Sequence, residues 1–226
     1  MRLRIAFHRM DNMTIIDQAE RIYSKLEHRA DAVIHVLGIL FAINASLWLL
    51  WRVTGLPVAV GVFIYCAGLL AMICMSAAYN LTPHGPSKAI LRRLDHSAIF
   101  IMIAATYTPF AMNRLGAPYG GLILTAIWSC ASLGVAMKVL YPRRFEILSI
   151  ALYLGMGWAI VTVIQPLHAA MGAVDFWLLV GGGLVYSAGV LFYVIDRIPY
   201  HKVIWHGLVL VAAALHFSAV AFEFAA

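Results

Sequence analysis

Seven long apolar stretches leave this chain few ways to fold. A helix that crosses the hydrocarbon of a bilayer needs about 20 mostly apolar residues. Residues 32–52, 56–79, 97–112, 120–141, 146–166, 174–195 and 203–224 form such stretches. The third reaches full length only if Asp95 and His96 lie in the interface. Hydrophobic residues make up 63% of the chain and charged residues 12%. A soluble domain of this size has no interior large enough to hide so much apolar surface. The chain reads as an all-α integral membrane protein of seven transmembrane helices.

The basic residues orient it. With the N-terminus in the cytoplasm, Arg2, Arg4, Arg9, Arg21, Lys25 and Arg29 fall inside. So do Lys88, Arg92, Arg93, Lys138, Arg143, Arg144, Arg197 and Lys202, which makes 14 of the 16 Lys and Arg. Only Arg52 and Arg114 are left outside. The positive-inside rule then places the N-terminus in the cytoplasm and the C-terminus outside, in a plasma (inner) membrane crossed several times. The +6 net charge expresses topology and contact with anionic membrane lipids, the partners expected here, and nucleic acid is not among them.

Residues 1–30 read as a cytoplasmic N-terminal segment without the apolar core of a cleavable signal. Within it Ile15, Ile16, Ala19, Ile22, Tyr23 and Leu26 recur at helical spacing opposite Asp17, Glu20, Arg21 and Lys25. This predicts a short amphipathic helix lying on the membrane surface before the first span. Residues 31–226 read as a single seven-helix domain. Cys66, Cys74 and Cys130 lie within spans at no metal-binding spacing and read as packing residues. Gly181, Gly182, Gly183, Ser187 and Gly189 predict a narrow side on span six, and Gly155 and Gly157 the same on span five. Pro109 is expected to kink the outer half of span three.

The polar residues inside the spans gather at one depth. Asp31 and His35 open span one, four residues apart and on one face. Ser76 and Asn80 close span two. Asp95, His96 and Ser97 open span three, and Lys202 and His206 open span seven. Alternating topology brings these four ends to the cytoplasmic side. Acid, imidazole, hydroxyl, amide and amine thus converge, which is the raw material of a buried site. Each also has a structural explanation: Asp95 as a helix cap, Asp31 as a partner of Arg29, Ser76 bonded to its own helix, Lys202 reaching the headgroups. His216 lies about 15 Å deeper than His206 at 1.5 Å per residue and reads as a hydrogen-bonded interior histidine within the pocket region.

The run Arg92-Arg93-Leu94-Asp95-His96-Ser97 resembles the hemolysin III family. Thr106-Tyr107-Thr108-Pro109-Phe110, Ile204-Trp205-His206 and Leu215-His216-Phe217 share the likeness, and Glu27 and His35 fit its opening motif. That family belongs with the progestin and adipoQ receptors. The resemblance runs from about residue 27 to the end. It implies a seven-helix bundle with a cytoplasmic amino end and a pocket holding zinc through three histidines, with an aspartate near the metal-bound water. Wider relatives include lipid amidases of the alkaline ceramidase type.

This chain departs from the pattern at the metal. Where the family resembles Ser-x-x-Tyr-His, it reads Ser76-Ala77-Ala78-Tyr79-Asn80. Where the family has a histidine four residues before His206, it has Lys202, and His201 is rotated by about 140° from His206 on a helix of 3.6 residues per turn. The opening motif carries Asp31 and Ile34 where Asn and Thr are usual. The metal set would be His206 with His201, and Asp95 and Ser76 would be the catalytic pair. The cofactor is then either none or zinc.

Three functions follow. The first is a pocket that binds or senses a lipid, its zinc site degenerate, with Lys202 supplying beside Asp95 the charge that zinc supplies elsewhere. The second is a zinc-dependent lipid hydrolase of the ceramidase-like amidase kind, using His206, His201 and Asp95. The third is a pore or cytolysin, for which the deeper polar candidates are few: His216, Tyr107 and Thr106.

Overall fold

A computed structural model describes residues 24–225. The amphipathic surface helix expected around residues 15–26 falls almost wholly outside the described residues. Seven helical segments follow one another: α1 Lys25–Arg52, α2 Leu56–Leu81, α3 Pro86–Asn113, α4 Tyr119–Leu140, α5 Glu146–Ala170, α6 Ala173–Val194 and α7 His201–Phe224. All except α3 are long and apolar enough to cross a membrane. Their apolar residues face outward. Only 11% of the most apolar window of α6 and 17% of that of α5 is buried inside the bundle. A soluble helix buries its apolar stripe, so this inversion marks a surface made for lipid.

The helix starts follow local chemistry. Ser24 caps α1: its Oγ accepts the Glu27 N–H at 3.1 Å while Glu27 Oε2 accepts the Ser24 N–H at 2.8 Å. This is a capping box, and it satisfies two donors that the first turn would otherwise orphan. Glu27 does more. Its other oxygen accepts the Tyr200 N–H at 2.9 Å, tying the start of α1 to the start of α7. The helix α3 starts at Pro86, where a missing N–H and a fixed φ cost nothing. Asp95, His96 and Ser97 therefore lie well inside α3 rather than at its opening, and the helix-cap explanation for Asp95 is corrected. The charged turns that precede the apolar run join the helix because nothing between Pro86 and Asp95 breaks it.

The helices pack in sequence and close on themselves. The tightest pairs are α2 with α3 and α6 with α7; α3 also meets α4 and α5, and α1 meets both α2 and α7. Two glycines show how closely the tightest pairs approach. A side chain at Gly68 of α2 would meet Ala105 and Met102 of α3, and one at Gly182 of α6 would strike the His216 ring of α7. Small residues let backbones approach in this way. The same role expected of Gly155 and Gly157 is not found, since neither has a neighbour where a side chain would stand. Instead α5 tightens into a 3-10 turn over Ala159–Val163. Just before that turn the Tyr107 hydroxyl donates to the carbonyls of Met156 at 2.7 Å and Gly157 at 3.0 Å. The helix α3 runs on through Pro109 to Asn113. At the far end Arg114 pairs with Glu223 and also donates to its carbonyl at 3.0 Å, clamping the ends of α3 and α7.

Candidate functional site

A cavity of about 240 Å³ opens between α1, α2, α3, α6 and α7. His35 reaches it from α1, Ser76 and Asn80 from α2, Asp95 and His96 from α3, and His201, Lys202 and His206 from α7. The convergence expected from helix depth alone is thus present in three dimensions. Apolar side chains complete the wall, among them Ile73, Ile99, Val209 and Leu210, with Tyr186 and Tyr193 from α6.

Asp31 joins the site through a contact that the sequence reading did not anticipate. Its Oδ1 lies 2.6 Å from His206 Nδ1, a short hydrogen bond across 175 residues of chain. Its Oδ2 stands 3.5 Å from His35 Nε2, one turn along α1. The His35 and His206 rings lie 4.6 Å apart between centroids. A carboxylate thus orients an imidazole from the opposite helix while a second imidazole closes over it. The four-residue spacing of Asp31 and His35 carried half of this signal. The pairing with His206 had no local signal, because it depends on α1 closing against α7.

Asp95 is the second carboxyl of the site. The Ser76 hydroxyl, His35 and Arg92 are among the polar groups near it. Lys202 lines the same cavity but is exposed, at the first turn of α7. Asn80 bends back on its own helix, its amide donating to the Ser76 carbonyl at 2.9 Å. His201 is buried at 4% exposure and its Nδ1 meets the Phe192 carbonyl at 3.1 Å. His201 and His206 line the same cavity, but the close group of metal-type donors among the described residues joins His206 to Asp31 and His35 rather than to His201. His216 is also corrected. It is not part of the cavity wall; its Nε2 meets the Leu179 carbonyl at 3.1 Å and its ring packs beside Gly182 and Tyr186.

The donor set can be tested against zinc. Zinc takes histidine nitrogen, thiolate or carboxylate oxygen at about 2.0–2.3 Å, usually in a tetrahedron. An amide bonded to its own helix at Asn80 and an exposed ammonium at Lys202 do not supply that. Among the described residues one group has suitable donors: Asp31, His35 and His206, whose ligand atoms all lie within 4.8 Å of one another. His35 Nε2 is buried with only the 3.5 Å contact to Asp31 Oδ2 and no closer hydrogen bond, which leaves one nitrogen of the trio weakly held and open to a ligand. The types fit, although the direct Asp31–His206 hydrogen bond occupies the place between them.

A second cluster lies behind the first, and the sequence reading missed it. Glu146, at the start of α5, accepts from Arg92 at 2.9 Å and from Lys138 at 2.7 Å, with His96 Nδ1 at 3.8 Å. Lys138 is only 3% exposed. The available signal was a lone acid in a loop of basic residues, Lys138 to Arg144, between two spans. Tyr153 of α5 adds a hydrogen bond to the His96 carbonyl at 2.8 Å, so α3 and α5 are fixed together beside both clusters.

Among the described residues, a helical bundle with an apolar outer coat and a polar cavity between its helices is the architecture of a multi-pass membrane protein. Residues 23–217 match the family described as haemolysin-III related, and the chain belongs to that family. It is similar to the hemolysin-3 homolog of Bacillus subtilis (strain 168), with 36% identity over 87% of this chain and 93% of that protein. Hemolysin-3 of Bacillus cereus is 34% identical over 87% and 91%. The heptahelical transmembrane protein ADIPOR2 of Oryza sativa subsp. japonica is 30% identical over 70% and 79%.

Proposed function

We propose that the protein crosses the membrane seven times from a cytoplasmic N-terminus, and that its cavity receives the polar end of a lipid without needing zinc. The observation that carries this reading is the two-sided lining of the cavity. His35, Ser76, Asp95 and His206 form a polar floor, while Ile73, Ile99, Val209 and Leu210 form an apolar wall beside it. A lipid has the same division. The seventh span is α3, whose charged first turns lie in the interface and whose remainder is apolar. The relative named as heptahelical supports that count, and the 14-to-2 split of basic residues supports the orientation.

In this reading Asp31 and His206 compensate one another, so the floor stays polar without a metal. Asp95, next to Ser76, offers the ligand a hydrogen-bond acceptor. The pore reading draws little support, because its deep polar candidates are engaged locally: Tyr107 with α5, Thr106 with the Met102 carbonyl at 2.9 Å and His216 with Leu179.

The trio Asp31, His35 and His206 favours one second reading, a metal-dependent lipid hydrolase. Those three residues would hold zinc, which when bound polarises a carbonyl and activates water. Asp95 would then be placed to take or give a proton beside Ser76.

Metal analysis of the purified protein separates the two, paired with mass spectrometry of the lipid that copurifies. The first reading expects retained lipid, substoichiometric zinc, and a zinc site created only by Asn80→His with Lys202→His. One tight zinc per chain that disappears on His206→Ala would overturn it in favour of the hydrolase. A reporter fused after Ala226 checks the topology, and a cytoplasmic signal there would sink the seven-span arrangement.

A further inference from the structure

The Glu146 cluster opens into a separate cavity of about 320 Å³ at the junction of α3, α4 and α5. Arg92, Arg93, Lys138 and Arg143 line it together with His96, and Glu146 is the one carboxylate among the lining residues. We infer that this cavity is an anion site that binds a phosphate group, and specifically the headgroup phosphate of an anionic phospholipid.

Four observations support the assignment. The first is charge: four permanent cations face one carboxylate. Glu146 is already engaged by Arg92 and Lys138, and among the described residues no ion pair is found for Arg93 or Arg143. The second is an orphan donor. Arg93 Nε is buried and has no hydrogen-bond partner. A buried donor without an acceptor is costly, and a guanidinium beside other cations is suited to a phosphate oxygen. The third is the loop. Arg143 and Phe145 both hold left-handed backbone, with φ of 64° and 59°. Side-chain-bearing residues adopt that region at a cost, and such strain gathers where a ligand is clamped. Arg144 stacks on the Phe145 ring at 5.8 Å from its centroid, so of the two adjacent arginines only Arg143 lines the cavity. The fourth is position. The cavity sits where two apolar helices, α4 and α5, end and begin, the level at which lipid phosphates lie.

The inference does not depend on what the first cavity binds. The two meet at Arg92 and His96, which line both. An anion on the second site would compete with Glu146 for Arg92, and Arg92 also acts on Asp95. Occupancy of the headgroup site would thereby reach the polar floor through one side chain.

The test places the full-length protein in nanodiscs of phosphatidylcholine, with or without phosphatidylglycerol. Native mass spectrometry counts retained lipid and thermal unfolding reports stabilisation. The wild type is expected to retain phosphatidylglycerol over phosphatidylcholine and to unfold at a higher temperature with it. Arg93→Gln with Arg143→Gln should weaken that preference about ten-fold through the loss of charge-assisted hydrogen bonds. Arg93→Lys with Arg143→Lys, which keeps the charge, should lose much less. Inorganic phosphate added to phosphatidylcholine discs is the second arm. Stabilisation by phosphate with no preference for phosphatidylglycerol keeps the anion site but assigns it to a soluble phosphate and overturns the lipid assignment. Equal retention of the two lipids with no effect of phosphate overturns the site itself. So does a preference that survives the double glutamine substitution. If the glutamine variant does not fold, the wild type decides alone, by whether rising salt and phosphate erode its preference.

Discussion

Asp31 and Glu146 are the acids of two neighbouring clusters, and they are compensated in opposite ways. Asp31 sits 14% exposed between two imidazoles, His206 at 2.6 Å and His35 at 3.5 Å. Glu146, 33% exposed, holds two permanent cations at 2.9 and 2.7 Å, and one of them, Lys138, is almost fully buried. The first cluster is a hydrogen-bonded unit that joins α1 to α7. The second is an ionic knot with surplus positive charge joining α3, α4 and α5. A buried pair contributes little net stability, yet breaking one from a single side strands the other charge at a large cost. The two acids should therefore differ when removed, since one leaves imidazoles behind and the other permanent cations.

The sharpest way to break that comparison is Glu146→Gln. The amide keeps the shape but leaves Lys138 and Arg92 without a counter-charge. The expected loss is about 3 kcal/mol, read as a lowered unfolding midpoint in phosphatidylcholine discs. Adding Lys138→Met should recover much of it, because the stranded ammonium is then gone. No recovery in the double variant would show that the cost of Glu146→Gln lies elsewhere than in the buried lysine.

Asp31→Asn ranks second. Asparagine still offers an oxygen to His206 Nδ1, and the groups left behind are imidazoles rather than permanent cations. The expected loss is about 1–2 kcal/mol, measured in the same discs. A drop as large as that of Glu146→Gln would mean that Asp31 carries a full ion pair, and the contrast between the clusters would fail.

The contrast also marks what the residues disclose in advance. While α1 begins seven residues before its expected start, apolar length placed five of the helices to within a few residues, because in lipid every backbone group must be satisfied within its own segment. It misjudged α3, where Lys88, Arg92 and Arg93 hid a helix that begins at Pro86. Depth along the helices brought Ser76, Asn80, Asp95 and His206 to one cavity, since depth follows from topology alone. Rotation and partner choice do not. Glu146 and Lys138 lie eight residues apart across a turn, and the Asp31–His206 bond joins α1 to α7 across 175 residues. Those contacts arise from packing, and so does the one between His201 Nδ1 and the Phe192 carbonyl.

The smallest effect belongs to Lys202. Its charge was expected to replace that of zinc beside a buried Asp95, and on that basis losing it alone would cost about 3–5 kcal/mol. The structure puts Lys202 on an exposed first turn of α7. An exposed ammonium is screened by water, and at a helix N-terminus it opposes the dipole. Lys202→Met should therefore cost no more than about 1 kcal/mol, and adding Asp95→Asn should produce no recovery. The comparison then acquires a third member, an exposed cation on the wall of the first cavity. A loss near that of Glu146→Gln, recovered by Asp95→Asn, would restore the lysine to the role of metal substitute and move the centre of the site from Asp31 to Asp95.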